Sequence, residues 1–438
     1  MTFGLNQTHD PNTRSWVESA NDPTTDFPIQ NLPLGVFRRR GTTEPPRIGV
    51  AIGDQVLDLA AGSSEGLLQG AGERVARACQ EPALNGLMAL GGAAAADLRE
   101  VLHSLLSQPS GRQAASKNLV SIGQAELFVP AHIGGYTDFY ASLHHATNVG
   151  RLFRPENPLL PNYKYVPIAY HGRASSIVVS GTPVVRPSGQ QRQGENPPTY
   201  APSRRLDYEL EAGLYIAGGN ALGATIPVRE ASQHVFGFSL VNDWSARDIQ
   251  AWEYQPLGPF LGKNFATSVS PWVVTAEALA PFRASAAPRP EGDPQFLPYL
   301  HAEIDQQQGA LSIELEVLIA TAKMREQGIA PHRLSRVNFN TMYWTPAQMV
   351  AHHASNGCNL EPGDLLASGT VSGPTPDALG SLLEISQGGR QPVTLPNNEA
   401  RTFLEDGDEI VMRGACSRPG YRRIGFGECR GVILPTRV

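Results

Sequence analysis

The stretch Arg205-Leu-Asp-Tyr-Glu-Leu-Glu-Ala-Gly-Leu-Tyr215 alternates apolar and acidic side chains over most of its length. A period of two predicts a β-strand, because successive side chains of a strand point to opposite faces. Asp207, Glu209 and Glu211 would then share one face, with neighbours about 6.6 Å apart. Such carboxylates are costly to bury unpaired, so the segment is either a solvent-exposed strand face or part of a divalent-cation site. Taken alone, the segment slightly favours the exposed face.

Strand-like segments recur along the chain, whereas helical patterns are fewer. After residue 125, strand candidates are separated by glycine- and proline-rich turns rather than by regular helices. This pattern disfavours a doubly wound nucleotide-binding sheet and predicts a mainly β (α+β) fold, a mixed β-sandwich or roll. Earlier in the chain, short strands such as residues 47–53 precede an Ala- and Leu-rich stretch, residues 67–106, that predicts two or three short helices. We therefore divide the chain into a β-rich domain with appended helices, residues 1–125, and a second, strand-rich domain, residues 126–438, which carries the candidate site residues described below.

The composition disfavours several classes of function. Of the 438 residues, 35 are Lys or Arg and 41 are Asp or Glu, which gives a formal net charge of -6. Because the chain has no long basic run, it is not expected to bind nucleic acid. The uncharged stretch of residues 82–96 is shorter than the about 20 apolar residues of a membrane helix. The four cysteines lack paired spacing, and the chain opens without a secretory signal. These features predict a soluble, cytoplasmic protein.

A further acidic residue follows an apolar strand candidate. Asp243 comes shortly after residues 236–240 and directly before a helical pattern. Ligands frequently bind where a strand end opens into a helix, because the loop residues there project into a cleft. Arg247 and Gln250 lie one and two helical turns further on, so both would overhang a site that includes Asp243. The alternative is an N-capping Asp beside a surface Arg, and for Asp243 taken alone this alternative is favoured.

Residues 136–154 bring together four chemically different side chains. Asp138 is a carboxylate and Tyr140 a phenol, and they are followed by the imidazole of His145 and the guanidinium of Arg154. The stretch looks short and loop-like. Imidazole is the side chain best suited to move protons near neutral pH, which makes a histidine here a candidate general base. His144 stands next to His145, so the pattern alone does not choose between the two.

Several runs of sequence are similar to a known family. Four of them resemble the fumarylacetoacetase family: Tyr136-Thr-Asp-Phe-Tyr140, His145-Ala-Thr-Asn-Val-Gly150, Asn242-Asp-Trp-Ser-Ala-Arg-Asp248 and Pro256-Leu-Gly-Pro-Phe-Leu-Gly-Lys263. The similarity covers essentially the whole chain. It implies metal-dependent hydrolysis of a carbon–carbon bond of fumarylacetoacetate, the last step of tyrosine and phenylalanine breakdown. It also implies an N-terminal SH3-like barrel and a C-terminal mixed β-roll that forms a homodimer.

The resemblance assigns roles to individual residues and leaves Asp207 out of the metal shell. The implied ligands of Ca²⁺ or Mg²⁺ are Asp138, Glu209, Glu211 and Asp243. A second, magnesium-type site would use Asp243, the carbonyl of Lys263, and Thr267. The implied general base is His145, oriented by Glu384, and the groups that face the oxyanion are Arg247, Gln250 and Lys263. The implied substrate contacts are Tyr140, Arg154, Tyr170, Gln250, Tyr254 and Thr370.

Two other functions compete with this one. A decarboxylase, a hydratase or an acylpyruvate hydrolase would keep the fold and the metal but change the reaction. The additional N-terminal domain and His145 argue against that group. A non-catalytic binding protein on the same fold would lack the base or a metal ligand, and none of the implied residues is missing.

Overall fold

The computed structural model describes residues 4–437. Its strands, in chain order, are β1 (Leu34–Arg39), β2 (Arg47–Ile52), β3 (Gln55–Asp58), β4 (Leu119–Ser121), β5 (Ala125–Phe128), β6 (Tyr136–Phe139), β7 (Ala169–His171), β8 (Ile177–Val179), β9 (Val184–Val185), β10 (Ser188–Gln191), β11 (Thr199–Pro202), β12 (Leu206–Asp207), β13 (Leu210–Ile216), β14 (Val235–Asp243), β15 (Ser245–Ala246), β16 (Thr267–Val269), β17 (Trp272–Thr275), β18 (Arg283–Ala284), β19 (Ala310–Leu311), β20 (Glu314–Ala320), β21 (His332–Asn338), β22 (Leu365–Ala367), β23 (Val393–Thr394), β24 (Ala400–Arg401), β25 (Glu409–Cys416) and β26 (Ile424–Leu434). Its α-helices are α1 (Leu59–Ser64), α2 (Glu73–Ala78), α3 (Asn85–Leu90), α4 (Gly92–Ser107), α5 (Pro109–Ala115), α6 (Leu143–Phe153), α7 (Val228–Ala231), α8 (Arg247–Glu253), α9 (Glu303–Gln308), α10 (Ala322–Glu326), α11 (Pro346–His353) and α12 (Leu382–Ile385).

The largest sheet contains strands from both parts of the chain. Its main path follows the order β4-β3-β2-β1-β17-β14-β13-β22-β6-β7. Strand β1 joins the two parts, because Leu34 pairs with Val50 of β2 on one side and with Val273 of β17 on the other. Most pairs are antiparallel, but β22 and β6 run parallel, so the sheet is mixed. A second sheet has the order β21-β20-β25-β26-β9. The fold is therefore a mixed α/β fold with several sheets, in which strands dominate the site-bearing part, residues 126–438.

The N-terminal strands do not close into a barrel. Strand β5 pairs with β1, and β4 pairs with β3, but no pairing connects β4 with β5 within residues 4–437. Strand β17 pairs with the first two residues of β1, Leu34 and Gly35, on the same edge that β5 uses further along. A hydrophobic core fills the space between the N-terminal helices and this sheet, with Leu98 and Leu102 from α4 and Tyr215 and Val241 from the sheet. The N-terminal part thus packs on one face of the sheet that carries the site.

The helices of the structure agree in part with those predicted from the sequence. The helical pattern predicted after Asp243 is α8. The 67–106 stretch holds α2, α3 and α4, of which α4 is longer than expected, with 16 residues. None of the helices that the structure describes combines the length and the apolar character needed to cross a membrane.

The expectation of a loop-like stretch at residues 136–154 was wrong. Residues 136–154 consist mainly of strand β6 and helix α6. Thr147, Asn148 and Gly150 have low helix propensity, which hid the helix in the sequence pattern. Helix α6 is capped by Ser142, whose hydroxyl accepts the backbone N–H of His145. Gly150 is needed for packing, because a Cβ at this position would lie 2.0 Å from the carbonyl oxygen of Pro158.

Candidate active site

Four carboxylates converge where β6, β13 and β14 come together. Asp138 belongs to β6, Glu211 to β13 and Asp243 to the end of β14, while Glu209 lies just before β13. All four residues are buried. One carboxylate oxygen each of Asp138, Glu209 and Asp243 lies within 4.8 Å of the others. The structure therefore brings together acidic residues that are up to 105 positions apart in the sequence, between residues 138 and 243.

Glu211 lies beside this group of three. Its Oε2 accepts a hydrogen bond of 3.2 Å from the backbone N–H of Gly369. Gly369 has a φ of 75° and leaves no room for a Cβ, which would lie 2.1 Å from the carbonyl oxygen of Phe139. Glycine is thus the residue that allows the chain after β22 to pass this close to the cluster.

Strand alternation explains why the carboxylates share one face. Residues two apart on a strand point to the same side. Tyr136 and Val241 belong to the core under the N-terminal helices, and Asp138 and Asp243 follow them by two positions. The face that is apolar beneath the N-terminal part therefore becomes acidic where that cover ends.

Two buried cations lie among the carboxylates. The Lys263 ammonium donates to Glu209 and, at 2.8 Å, to Oδ2 of Asp243. Arg247 contacts Oε1 of Glu209 at 2.7 Å. Burial by itself would raise the pKa of Glu209, but Lys263 and Arg247 outweigh it and hold that pKa below its usual range. Glu209 is consequently an anion.

Lys263 and Arg247 do not neutralise the charges of Asp138 and Glu211. Burial, followed by repulsion from Asp243, raises the pKa of Asp138 well above its ordinary value. Burial and the charge of Asp138 do the same to the pKa of Glu211. Oδ1 of Asp138 and Oε1 of Glu211 are buried, and neither oxygen has a hydrogen-bond partner in the part of the chain that the structure describes.

This donor set fits a hard divalent cation. Ca²⁺ and Mg²⁺ take carboxylate oxygens as ligands, and their charge removes the repulsion among buried acids. The two partnerless oxygens supply free lone pairs at the cluster. Thr267, which was expected in a second site, donates its hydroxyl to Oδ1 of Asp243 at 2.9 Å. The ammonium group of Lys263 also contacts the cluster, through Glu209 and Asp243.

The predicted base, His145, is paired with Glu384. The Nδ1 atom of His145 lies 2.7 Å from Oε2 of Glu384, and both side chains are buried. Burial would raise the pKa of Glu384, but His145 and the hydrogen bonds to the carboxylate hold it below its usual range. An anionic acceptor at Nδ1 places the ring proton there and leaves Nε2 with a free lone pair.

Tyr140 connects the base with the carboxylates. Its ring lies edge-on to the ring of His145, with 5.4 Å between the centroids. Burial, followed by the charges of Glu384 and Glu209, raises the pKa of Tyr140, so its phenol stays protonated as a donor. Glu209 also lies close enough to His145 that a positive charge on the imidazole would lower the pKa of Glu209. Base and acid cluster therefore share one site.

The remaining predicted substrate contacts differ in position. Tyr170 donates to Oδ2 of Asp243 at 2.5 Å, and Gln250 accepts from Arg247 at 3.3 Å. The hydroxyl of Thr370 is buried and has no hydrogen-bond partner among the described residues. The two outermost residues are exposed: Arg154, at the end of α6, and Tyr254, just after α8.

Sequence reasoning missed the residues that hold Glu384 in place. Its carboxylate accepts hydrogen bonds from Asn148 at 3.0 Å and from Ser372 and Ser381 at 2.9 Å each. Ser381 also caps helix α12, which carries Glu384. A serine three residues before a glutamate is a signal for a helix start, and it could have indicated α12.

The chain matches two family models that together span most of its length. Residues 30–131 match the model described as Fumarylacetoacetase N-terminal, and residues 135–434 match Fumarylacetoacetate (FAA) hydrolase C-terminal. The fumarylacetoacetase of Bos taurus is 49% identical over 432 residues, which cover 96% of this chain and 99% of that protein. The fumarylacetoacetase of Arabidopsis thaliana is 47% identical over 430 residues, with 97% and 99% covered.

A solved structure has the same fold at low sequence identity. The fumarylacetoacetate hydrolase from psychrophilic Exiguobacterium antarcticum superposes with a TM-score of 0.50 and 16% identity, covering 93% of this chain and 100% of that chain. At this identity the likeness concerns the fold alone. The chain is 47–49% identical to two fumarylacetoacetases over nearly its full length, and it matches two models of this family. It therefore belongs to the fumarylacetoacetase family.

Proposed function

We propose that this chain is an enzyme that hydrolyses fumarylacetoacetate to fumarate and acetoacetate, the last step of tyrosine and phenylalanine breakdown. The observation that carries the proposal is the buried His145–Glu384 pair beside a cluster of four carboxylates. Full-length similarity to named fumarylacetoacetases supports the choice of substrate.

His145 acts as the general base. Glu384 holds the proton on Nδ1, so Nε2 takes a proton from the attacking water. The negative charge of Glu384 stabilises the imidazolium that this transfer creates. The resulting hydroxide adds to the carbonyl carbon next to the fumaryl group.

Cationic and amide groups face the oxygen that becomes negative. Arg247, Gln250 and Lys263 are the candidates, and one well-placed donor of this kind contributes about 3–4 kcal/mol to a transition state. The carbon–carbon bond between this carbonyl and the neighbouring methylene then breaks. Its electron pair leaves with acetoacetate as an enolate, which takes up a proton, and fumarate remains as the other product.

Asp138, Glu209, Glu211 and Asp243 would hold a Ca²⁺ or Mg²⁺ ion, with Thr267 and Lys263 at a second, magnesium-type site. When bound, the cation supplies Lewis-acid stabilisation for negative charge on the diketone oxygens. The support is the excess of buried carboxylate over buried cation at the cluster, with two oxygens that lack partners among the described residues.

The substrate is held at its carboxylate ends. Arg154 suits a planar carboxylate, because a guanidinium donates two parallel hydrogen bonds. Tyr140, Tyr170, Tyr254 and Thr370 supply hydroxyl groups for these contacts, and the buried hydroxyl of Thr370 has no other partner in the described part of the chain.

A chelation-and-readdition assay tests reaction, substrate and metal together. We expect the protein to remove the diketone absorbance of fumarylacetoacetate, to lose this activity in excess chelator, and to regain it with Mg²⁺ or Ca²⁺. A simple acylpyruvate serves as the control substrate and should be turned over far more slowly. Faster loss of the acylpyruvate, or activity that survives chelation, would contradict the proposal.

We also propose the finer organisation implied by the family resemblance. Residues 1–125 form an SH3-like domain whose strands stay open rather than closing into a barrel, and residues 126–438 form the catalytic domain, supported by family models that meet between residues 131 and 135. Two chains form a dimer, and exposed apolar side chains at Leu257 and Phe260 support an interface. Four free cysteines support a reducing, cytoplasmic compartment. Analytical ultracentrifugation would test the dimer, and a single species of one-chain mass would exclude it.

A further inference from the structure

Asp207 lies outside the carboxylate cluster and contacts two other parts of the site. It is 0% exposed. Its Oδ2 accepts hydrogen bonds from Nε of Arg247 at 2.9 Å and from the backbone N–H of Leu383 at 3.0 Å. Its Oδ1 accepts the backbone N–H of Leu382 at 2.8 Å. One carboxylate thus joins an arginine of α8 to the first turn of α12.

Helix α12 depends on such contacts. It has four residues, too few to be stable by itself, because a single helical turn costs more entropy than its hydrogen bonds return. Asp207 accepts the N–H groups of its first two residues, which have no partner inside the helix. The third residue is Glu384, which orients His145. A shift of α12 would therefore move the partner of the base.

The same carboxylate sets the orientation of Arg247. With Nε held by Asp207, the NH1 group of the guanidinium is directed to Oε1 of Glu209 at 2.7 Å and to Gln250 at 3.3 Å. A guanidinium is a rigid planar fork, so fixing one edge fixes the direction of the others. Without Asp207, Arg247 would lose the contact that defines this orientation.

We propose that Asp207 is a positioning residue that holds Arg247 and the His145–Glu384 pair in a fixed relation to each other. This inference rests on the proposed function, because that proposal assigns the roles of the three residues it positions. Asp207 contacts none of the reacting atoms in this account. Its effect passes through α12 and through the guanidinium.

The test is Asp207→Asn, assayed on fumarylacetoacetate at saturating divalent cation. The amide has the size of the carboxylate but turns its NH₂ group toward N–H donors, so it cannot accept from all of them. We expect kcat per folded molecule to fall about 100-fold, in line with the loss of one oriented transition-state donor. KM should stay within about threefold, because none of the residues proposed to hold the substrate's carboxylate ends is a hydrogen-bond partner of Asp207.

Asp408→Asn is the matched control. Asp408 is also 0% exposed and also pairs with a buried arginine, Arg401, through hydrogen bonds of 2.8 and 3.0 Å. Its loss should lower thermal stability but leave kcat per folded molecule and KM at wild-type values. A second variant, Asp207→Ser, removes the carboxylate without turning an NH₂ group toward the N–H donors, and it should lower kcat in the same direction.

The outcomes separate the two proposals. Wild-type protein without activity on fumarylacetoacetate would overturn the proposed function. Active wild type together with an unchanged kcat in Asp207→Asn would overturn the positioning role alone. The positioning role would also be overturned if Asp408→Asn lowers kcat per folded molecule as much as Asp207→Asn does. If both Asp207 variants fail to fold while Asp408→Asn folds, Asp207 is structural and the inference is rejected.

Discussion

Two buried groups of charge in this protein differ in how their charges balance. Around Arg401, the guanidinium makes two hydrogen bonds to Asp408, and the further partners Glu399 and Glu405 are 24% and 65% exposed to solvent. At the active-site cluster, four buried carboxylates share the two cations Lys263 and Arg247. Two of their oxygens have no partner within residues 4–437.

The difference shows what distinguishes a structural ion pair from a cation site. A buried pair with matched charge, such as Arg401–Asp408, is complete and needs no further ligand. A buried excess of negative charge is unfavourable unless it takes up protons or binds a cation. The first arrangement contributes to stability, whereas the second has the excess of negative charge that a metal ion could neutralise.

The largest expected effect comes from removing the base while keeping the carboxylates. His145→Ala should lower kcat about 10⁴-fold, because no other group takes the proton from water. Divalent-cation affinity, measured by calorimetry, should stay within about threefold of wild type. His144→Ala is the control and should retain activity, since the Glu384 hydrogen bond belongs to His145. Joint loss of turnover and cation affinity in His145→Ala would make His145 a structural residue.

Breaking the Arg401–Asp408 pair should lower the stability of the protein rather than its activity. Asp408→Asn leaves the Arg401 charge buried without its main partner, which costs about 3–5 kcal/mol. Urea denaturation should show this loss of unfolding free energy, with wild-type kcat for the folded fraction. A fall in kcat per folded molecule would show that the two charge groups are not independent.

Removing one charge from the cluster should weaken cation binding. Glu209→Gln takes away an anionic ligand, and we expect the Kd for Mg²⁺ or Ca²⁺ to rise about 100-fold, or about 2.7 kcal/mol. The control is Glu314→Gln, which removes an equal charge from an exposed strand position that pairs with Arg336. An unchanged cation titration in Glu209→Gln would remove Glu209 from the site.

A buried carboxyl group can also avoid an unfavourable charge by keeping its proton, without an ion pair or a bound cation. Burial raises the pKa of Glu277 from 4.5 to about 7, and the charge of Arg99 offsets this only in part. Because the folded state holds its proton more tightly than the unfolded state, wild type loses stability as the pH rises from about 4.5 to about 7. Glu277→Gln should avoid this loss and gain up to about 3 kcal/mol relative to wild type between pH 5 and pH 8. Parallel stability curves for the two proteins would contradict the pKa shift.

Local sequence signals predicted part of the site. Apolar–acidic alternation indicated strand β13, and the apolar run before Asp243 indicated a strand that ends at the site. The grouping of Asp138, Glu209 and Asp243 agrees with the ligands that the family resemblance implied. Imidazole chemistry narrowed the base to two adjacent histidines, and the resemblance chose His145.

The sequence pattern did not predict contacts made by distant residues. Alternation placed Asp207 on the same face as Glu209, but the strand breaks between β12 and β13, and Asp207 turns to Arg247 and α12 instead. Glu384 is 239 positions from His145, and no local pattern relates the two. The pairing of β1 with β17, which joins the N-terminal strands to the site-bearing sheet, is long-range in the same way.

A crystal structure with bound Mn²⁺, a hard cation with a strong anomalous signal, tests the central claim most directly. We predict one anomalous peak among Asp138, Glu209, Glu211 and Asp243, with carboxylate oxygens about 2.0–2.6 Å from it, beside Nε2 of His145. Four carboxylates that point apart, with no peak between them at saturating Mn²⁺, would contradict the account.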